Sequence, residues 1–107
     1  MSLDISLVSE DGGEDYTSNI THNLGNMAKA LGIYECLWHP AAHNIDYAEN
    51  LIEPLSIAIH KMTEDPDEYR KYDAINRWGT YEDFLPWLED LLKACIENPK
   101  HSVEAFI

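Results

Sequence analysis

Positive charge is scarce in this chain of 107 residues: seven lysines and arginines stand against twenty aspartates and glutamates, for a formal net charge of −13. Phosphate backbones and anionic lipid both reward cations at the contact, so direct nucleic-acid binding and membrane-surface binding are not expected. Cysteine is equally sparse. Cys36 and Cys95 lie far apart and form no C-x-x-C pair, which makes a reducing intracellular setting the default reading. No apolar run approaches the length of a membrane span. The amino terminus lacks a basic region, and Asp4, Glu10 and Asp11 interrupt any apolar segment that would serve as a secretory signal. The expectation is a cytoplasmic protein. Also missing are a glycine-rich phosphate loop, a G-x-S-x-G elbow and any Cys/His pair of familiar spacing, so covalent catalysis has no positive sign and no catalytic residue is assigned.

What is present is enough apolar material for one core: 45% of residues are hydrophobic, and a single domain over 1–107 is expected. Leu3, Ile5 and Leu7 alternate with Asp4 and Ser6, the period of a strand with one wet face. A turn over 10–14 and a return strand over 16–20 complete a hairpin. Thr21 is placed to cap a helix carrying Leu24, Met27, Ala28 and Leu31, which Gly32 ends. A short apolar helix follows and stops before Pro40. Asp46 is read as the cap of a long helix with Ala48, Leu51, Ile52, Leu55 and Ile59 on its apolar face. Pro54 inside it predicts a kink or two helices meeting. Pro66 to Tyr72 adds a helical turn. Thr80, with Glu82 and Asp83 behind it, caps a last helix whose stripe is Phe84, Leu85, Leu88, Leu91, Leu92 and Cys95, and Pro86 predicts distortion near its start. Val103, Ala105 and Ile107 alternate as a final strand that pairs with the hairpin. The fold class is therefore α+β, a small antiparallel sheet of about three strands covered by three to five helices.

Polar chemistry concentrates in Asn19, Thr21, His22 and Asn23, at a strand-to-helix junction offering amide, hydroxyl and imidazole groups together. The same residues also serve as ordinary helix caps. Trp38 and Trp78 both fall beside loops, where a large aromatic walls a pocket, anchors a partner or plugs the end of a core; for both, the plug is slightly the better reading. His39 and His43 are four apart, but Pro40 sits between them and two ligands do not make a metal site, so neither a metal nor a cofactor is assigned. The run Glu64-Asp65-Pro66-Asp67-Glu68 reads as a solvated acidic face.

Taken together, Asn19-Ile20-Thr21-His22-Asn23-Leu24, Met27-Ala28, Gly32-Ile33-Tyr34, Leu37-Trp38, Leu51 to Leu55, Trp78-Gly79-x-Tyr81 and Ala94-Cys95-x-Glu97-Asn98-Pro99 resemble a family of small uncharacterised proteins of bacteriophages, prophages and other mobile elements. The resemblance covers most of the chain after residue 15. It implies life in the bacterial cytoplasm and a shared site at Thr21, His22, Asn23 and Trp78, but no activity. Arg77 departs from the pattern, standing where glycine is usual before Trp78, as do His39 to His43, where Arg-Pro and acids are usual.

The candidate ligand-binding set is Asn19, Thr21, His22, Asn23, Trp38, Trp78 and Tyr81. The first functional expectation is a binding module holding a small polar or phosphorylated ligand at the 19–23 junction. The second is an acidic protein that inhibits a basic host enzyme, with DNA mimicry as its extreme form. The third is a small enzyme using His22 as acid or base. Exposed Trp38 or Trp78 would provide a homodimer contact.

Overall fold

The computed structural model describes residues 2–107. Strand β1 (Ser2–Val8) is central in a three-stranded antiparallel sheet of order β2-β1-β3, with β2 at Glu14–Thr21 and β3 at Ser102–Phe106. Leu3, Ile5 and Leu7 of β1 and Ile20 of β2 point into the core, while Asp4, Thr17, Asn19 and Glu104 alternate into solvent. The α+β reading is therefore correct, including the pairing of the last strand with the first hairpin.

Between β2 and β3 run α1 (Gly25–Leu31), α2 (Tyr34–Trp38), α3 (Glu49–Glu64), α4 (Pro66–Arg70) and α5 (Tyr81–Glu97), with 3-10 turns at His22–Leu24 and Pro40–His43. Their apolar stripes and the inner face of the sheet form one continuous cluster in which Leu24, Met27, Leu37, Leu51, Leu55, Phe84, Leu88 and Leu91 have no exposed surface. Gly32 ends α1 at φ 78°, the left-handed geometry expected of a glycine stop. Thr80 and Asp83 form a reciprocal capping box at the start of α5.

Three local expectations need correction. Asp46 does not cap α3. The helix begins at Glu49, and the Oδ1 of Asn50 inside its first turn accepts the N–H groups of Asp46 (3.2 Å) and Tyr47 (3.0 Å). The N–H groups of Ala48 and Glu49 instead bond the carbonyls of His101 and Pro99, tying the helix start to the approach to β3. Pro54 does not divide the helix. Pro54 and Pro86 each occupy the sixth position of a continuous helix, where a missing N–H forfeits one bond, to the second residue's carbonyl, close to a turn that is already unsatisfied. The two loop-side tryptophans also part company. Trp38 is the last residue of α2 and only 4% exposed, which removes it as a dimer contact, whereas Trp78 is 73% exposed.

Candidate functional site

The segment after β2 and the segment before α5 meet although they are far apart in sequence. Thr21 ends the strand, and its Oγ1 accepts the N–H of Asn23 at 3.2 Å, which starts the 3-10 turn. Asn23 then donates through Nδ2 to the carbonyl of Trp78 at 2.7 Å. Beside it, Gly79 adopts φ 118° and presses its bare Cα onto the same turn. A Cβ there would lie 3.0 Å from Thr21 Cγ2 and 3.1 Å from Asn23 Cβ. The N-I-T-H-N and W-G motifs are thus two halves of one joint.

The loop between Ala74 and Gly79 is pinned internally as well. Ala74 N–H donates to Gly79 O, Arg77 N–H to Ala74 O, and Trp78 N–H to Asn76 Oδ1 at 3.0 Å. Arg77 adopts φ 63°. It therefore holds, without being glycine, the left-handed backbone that glycine would take freely.

Next to this joint lies an open cleft of about 760 Å³. One wall comes from the junction and α1, through His22, Asn23, Asn26 and Lys29, with Tyr34 beside them; the opposite wall is the segment from Lys71 to Asn76. Tyr34 packs over Gly25 at the start of α1, where a Cβ would sit 3.4 Å from its ring, an ordinary contact. Tyr34 stacks on Trp38 with centroids 4.9 Å apart, and Lys29 Nζ sits 4.7 Å from the Tyr34 centroid.

Trp38 Nε1 donates to His22 Nδ1 at 2.8 Å. An indole N–H is a donor only, so Nδ1 must supply its lone pair, and the neutral imidazole carries its own proton on Nε2. His22 therefore has an N–H, not a lone pair, as its remaining polar group. Lys71 reaches Glu68 Oε1 at 3.0 Å, a hydrogen bond that raises its ammonium above the usual range. Asp73, the one carboxylate in the lining, is committed elsewhere: its Oδ1 accepts the Tyr81 N–H at 2.7 Å, fastening the start of α5.

Of the residues singled out in the sequence, the cleft gathers His22 and Asn23. Thr21 and Trp38 stand behind them, one as a cap and the other as the donor that orients His22. Asn19 lies on the outer face of the sheet, donating to Ser2 Oγ and Asp4 Oδ1 at 2.7 Å each. Tyr81 is buried, and its hydroxyl donates to Met62 O at 2.8 Å. Trp78 contributes its backbone to the joint and its ring to solvent. Lys29, Asn26, Tyr34, Lys71 and Asn76 escaped the sequence reading. Lys29 and Lys71 carried the available signal, as cations in a chain that has few, but nothing in the sequence links their positions.

The remaining chemistry-bearing side chains are dispersed. His43 pairs with Glu35 at 3.2 Å, and His39 packs edge-on to Tyr34. Among the described residues no group of three or more His, Cys, Asp or Glu side chains converges as a metal site. Burial pushes the Cys36 thiol up to about 11 and that of Cys95 up to about 12, so neither is a thiolate nucleophile near neutrality. No helix is long and apolar enough to cross a membrane among the described residues. Set against protein-family models, curated proteins and solved structures, the chain finds no match.

Proposed function

We propose that this protein is a binding module that holds a small phosphorylated ligand in the cleft between the His22–Leu24 turn, α1 and the 71–76 segment. The observation that carries this reading is a gathering of cations in an acidic chain: two of seven, Lys29 and Lys71, line one cleft of a chain whose net charge is −13, and although Glu68 pairs with Lys71 and Asp73 adds a carboxylate, Lys29 faces the cleft beside them. Around them stand donors suited to phosphoryl oxygens, namely His22 Nε2–H and the amides of Asn26 and Asn76. Lys29 has no carboxylate partner among the described residues, so its charge is not offset by a protein acid in direct contact.

The same geometry counts against His22 as a general base. Its Nδ1 lone pair is taken by Trp38, and a proton on Nε2 leaves nothing to accept with. The sequence resemblance alone supports the setting we infer, the bacterial cytoplasm during carriage of a phage or mobile element.

The test is thermal unfolding of the native chain with inorganic phosphate, nucleotides, cyclic nucleotides and sugar phosphates, beside His22→Ala and Lys29→Ala. A saturable rise in Tm with one phosphorylated compound, lost in both variants, is expected. Shifts that are equal in native and variant protein, or no shift at all, would sink the reading and return attention to basic protein partners of the acidic surface.

A further inference from the structure

The two edges of the sheet differ. On β3 the chain covers its own edge: Val103 N–H donates outward to Asp46 O at 3.1 Å, Tyr47 bridges Ser102, and Ala48 N–H bonds His101 O. On β2 no backbone partner lies outside Glu14–Thr21 among the described residues. The phase of the hydrogen bonds tells which groups face out. Ser9 N–H donates across the hairpin to Gly13 O, and Val103 turns away from β1, so Leu3, Ile5 and Leu7 bond toward β2. Their partners Ile20, Ser18 and Tyr16 therefore turn inward, and the N–H and C=O groups of Thr17 and Asn19 turn out into solvent.

Strand edges of this length are commonly blunted by lysine, proline or a covering loop. β2 contains neither lysine nor proline; its protection is the bulge beside Leu7 and Val8 and the acids Glu14 and Asp15 at the same end. From Tyr16 to Thr21 the edge is regular, uncharged and rich in strand-forming residues.

We propose that this edge pairs with the same edge of a second copy of the chain, making one continuous antiparallel sheet of six strands. Charge and hydrogen-bond phase select the register. With the two-fold axis through Ser18, Thr17 faces Asn19 and their outward groups exchange bonds, half-buried Tyr16 lies across from Ile20 on the core side, and Asp15 faces Thr21. No acid then faces an acid. Asn19 already turns its side chain toward Ser2 and Asp4, which leaves its backbone free for the partner. Because each copy carries −13, pairing works against mutual repulsion, and the dimer tightens as salt screens it. An acidic surface bound to a basic protein responds to salt in the opposite direction.

Sedimentation equilibrium of the native chain at low and high salt tests this. A reversible monomer–dimer equilibrium, several-fold tighter at high salt, is expected. Thr17→Pro deletes an outward N–H that the monomer does not use and is expected to leave monomer alone. Ser18→Cys places two thiols on the axis as a non-hydrogen-bonded pair, the closer kind, with facing Cβ atoms about 4.5 Å apart at the upper end of the disulfide range, and mild oxidation is expected to give a disulfide-linked dimer that Glu10→Cys does not. A chain that stays monomeric at every concentration and salt overturns the proposal, and so does a dimer whose affinity is unchanged in Thr17→Pro. Should Thr17→Pro fail to fold, absence of the Ser18→Cys cross-link overturns it instead.

Discussion

Asn23 donates its side-chain amide to the backbone carbonyl of Trp78 at 2.7 Å, across 55 positions of sequence. This bond fixes the loop before α5 to the turn after β2, and the cleft opens beside it. Removing the donor in Asn23→Ala leaves a carbonyl that water can still reach, so the expected cost is about 1 kcal/mol rather than the larger penalty of a buried orphan. The more specific outcome is local. Amides from Asn76 to Thr80 should exchange several-fold faster with solvent while those of α3 and β1 keep their protection, a pattern that uniform destabilisation would not give.

Two neighbouring substitutions should move stability in opposite directions. Gly79→Ala meets both a φ of 118° and atoms 3.0–3.1 Å from the new methyl. The loss expected is about 2–4 kcal/mol from combined strain and overpacking. Arg77→Gly relieves a left-handed arginine at φ 63°. Less the added freedom of glycine in the unfolded chain, it should gain about 0.5–1 kcal/mol. Urea unfolding of both variants checks the signs, and a stabilised Gly79→Ala would show that the joint is looser than its geometry.

Much of the architecture is legible from residue order because it rests on local rules. Alternation marks β1 and β3, Gly32 ends α1, and Thr80 with Asp83 starts α5. The start of α3 is not legible, since what satisfies it is the backbone of Pro99 and His101 from the other end of the chain. The candidate site divides the same way. His22 and Asn23 stand out as a polar cluster beside a cap, whereas Lys71 and Asn76 reach the cleft only because Gly79 and Asn23 dock their loop. Asn19 belongs to the same motif but, as an outward residue of a strand, faces away from the core.

Stability should fall at alkaline pH through the two thiols, buried Cys95 and partly buried Cys36. Cys95 has no exposed surface, and burial holds its native thiol up to about 12 against 9.0 for the ordinary group. Above the ordinary value the unfolded chain releases this proton while the native chain keeps it, so the unfolded state binds fewer protons and stability declines as pH rises. The contribution is complete below about 9 and is lost progressively between there and about 12. Cys36, pushed up to about 11, adds to the same slope over a narrower window. Urea midpoints of native protein and Cys95→Ala between neutral pH and pH near 10 should converge as pH rises, and parallel curves would exclude Cys95 as the source. Iodoacetamide at neutral pH should label Cys95 only at the rate of global opening.

The Trp38–His22 bond makes the most direct prediction about the cleft. Trp38→Phe keeps an aromatic ring to stack on Tyr34 but deletes the Nε1–H that His22 Nδ1 accepts. The loss expected is about 1 kcal/mol of stability. The informative change is in the imidazole: freed of its donor, His22 should shift from a single Nε2–H tautomer to a mixture, visible in the 15N chemical shifts of its two ring nitrogens. A ligand held through Nε2–H should then bind more weakly to Trp38→Phe, although the substituted side chain does not line the cleft. If the nitrogen shifts do not change, the tautomer is fixed by something other than Trp38; if they change and affinity does not, His22 lies beside the ligand without donating to it.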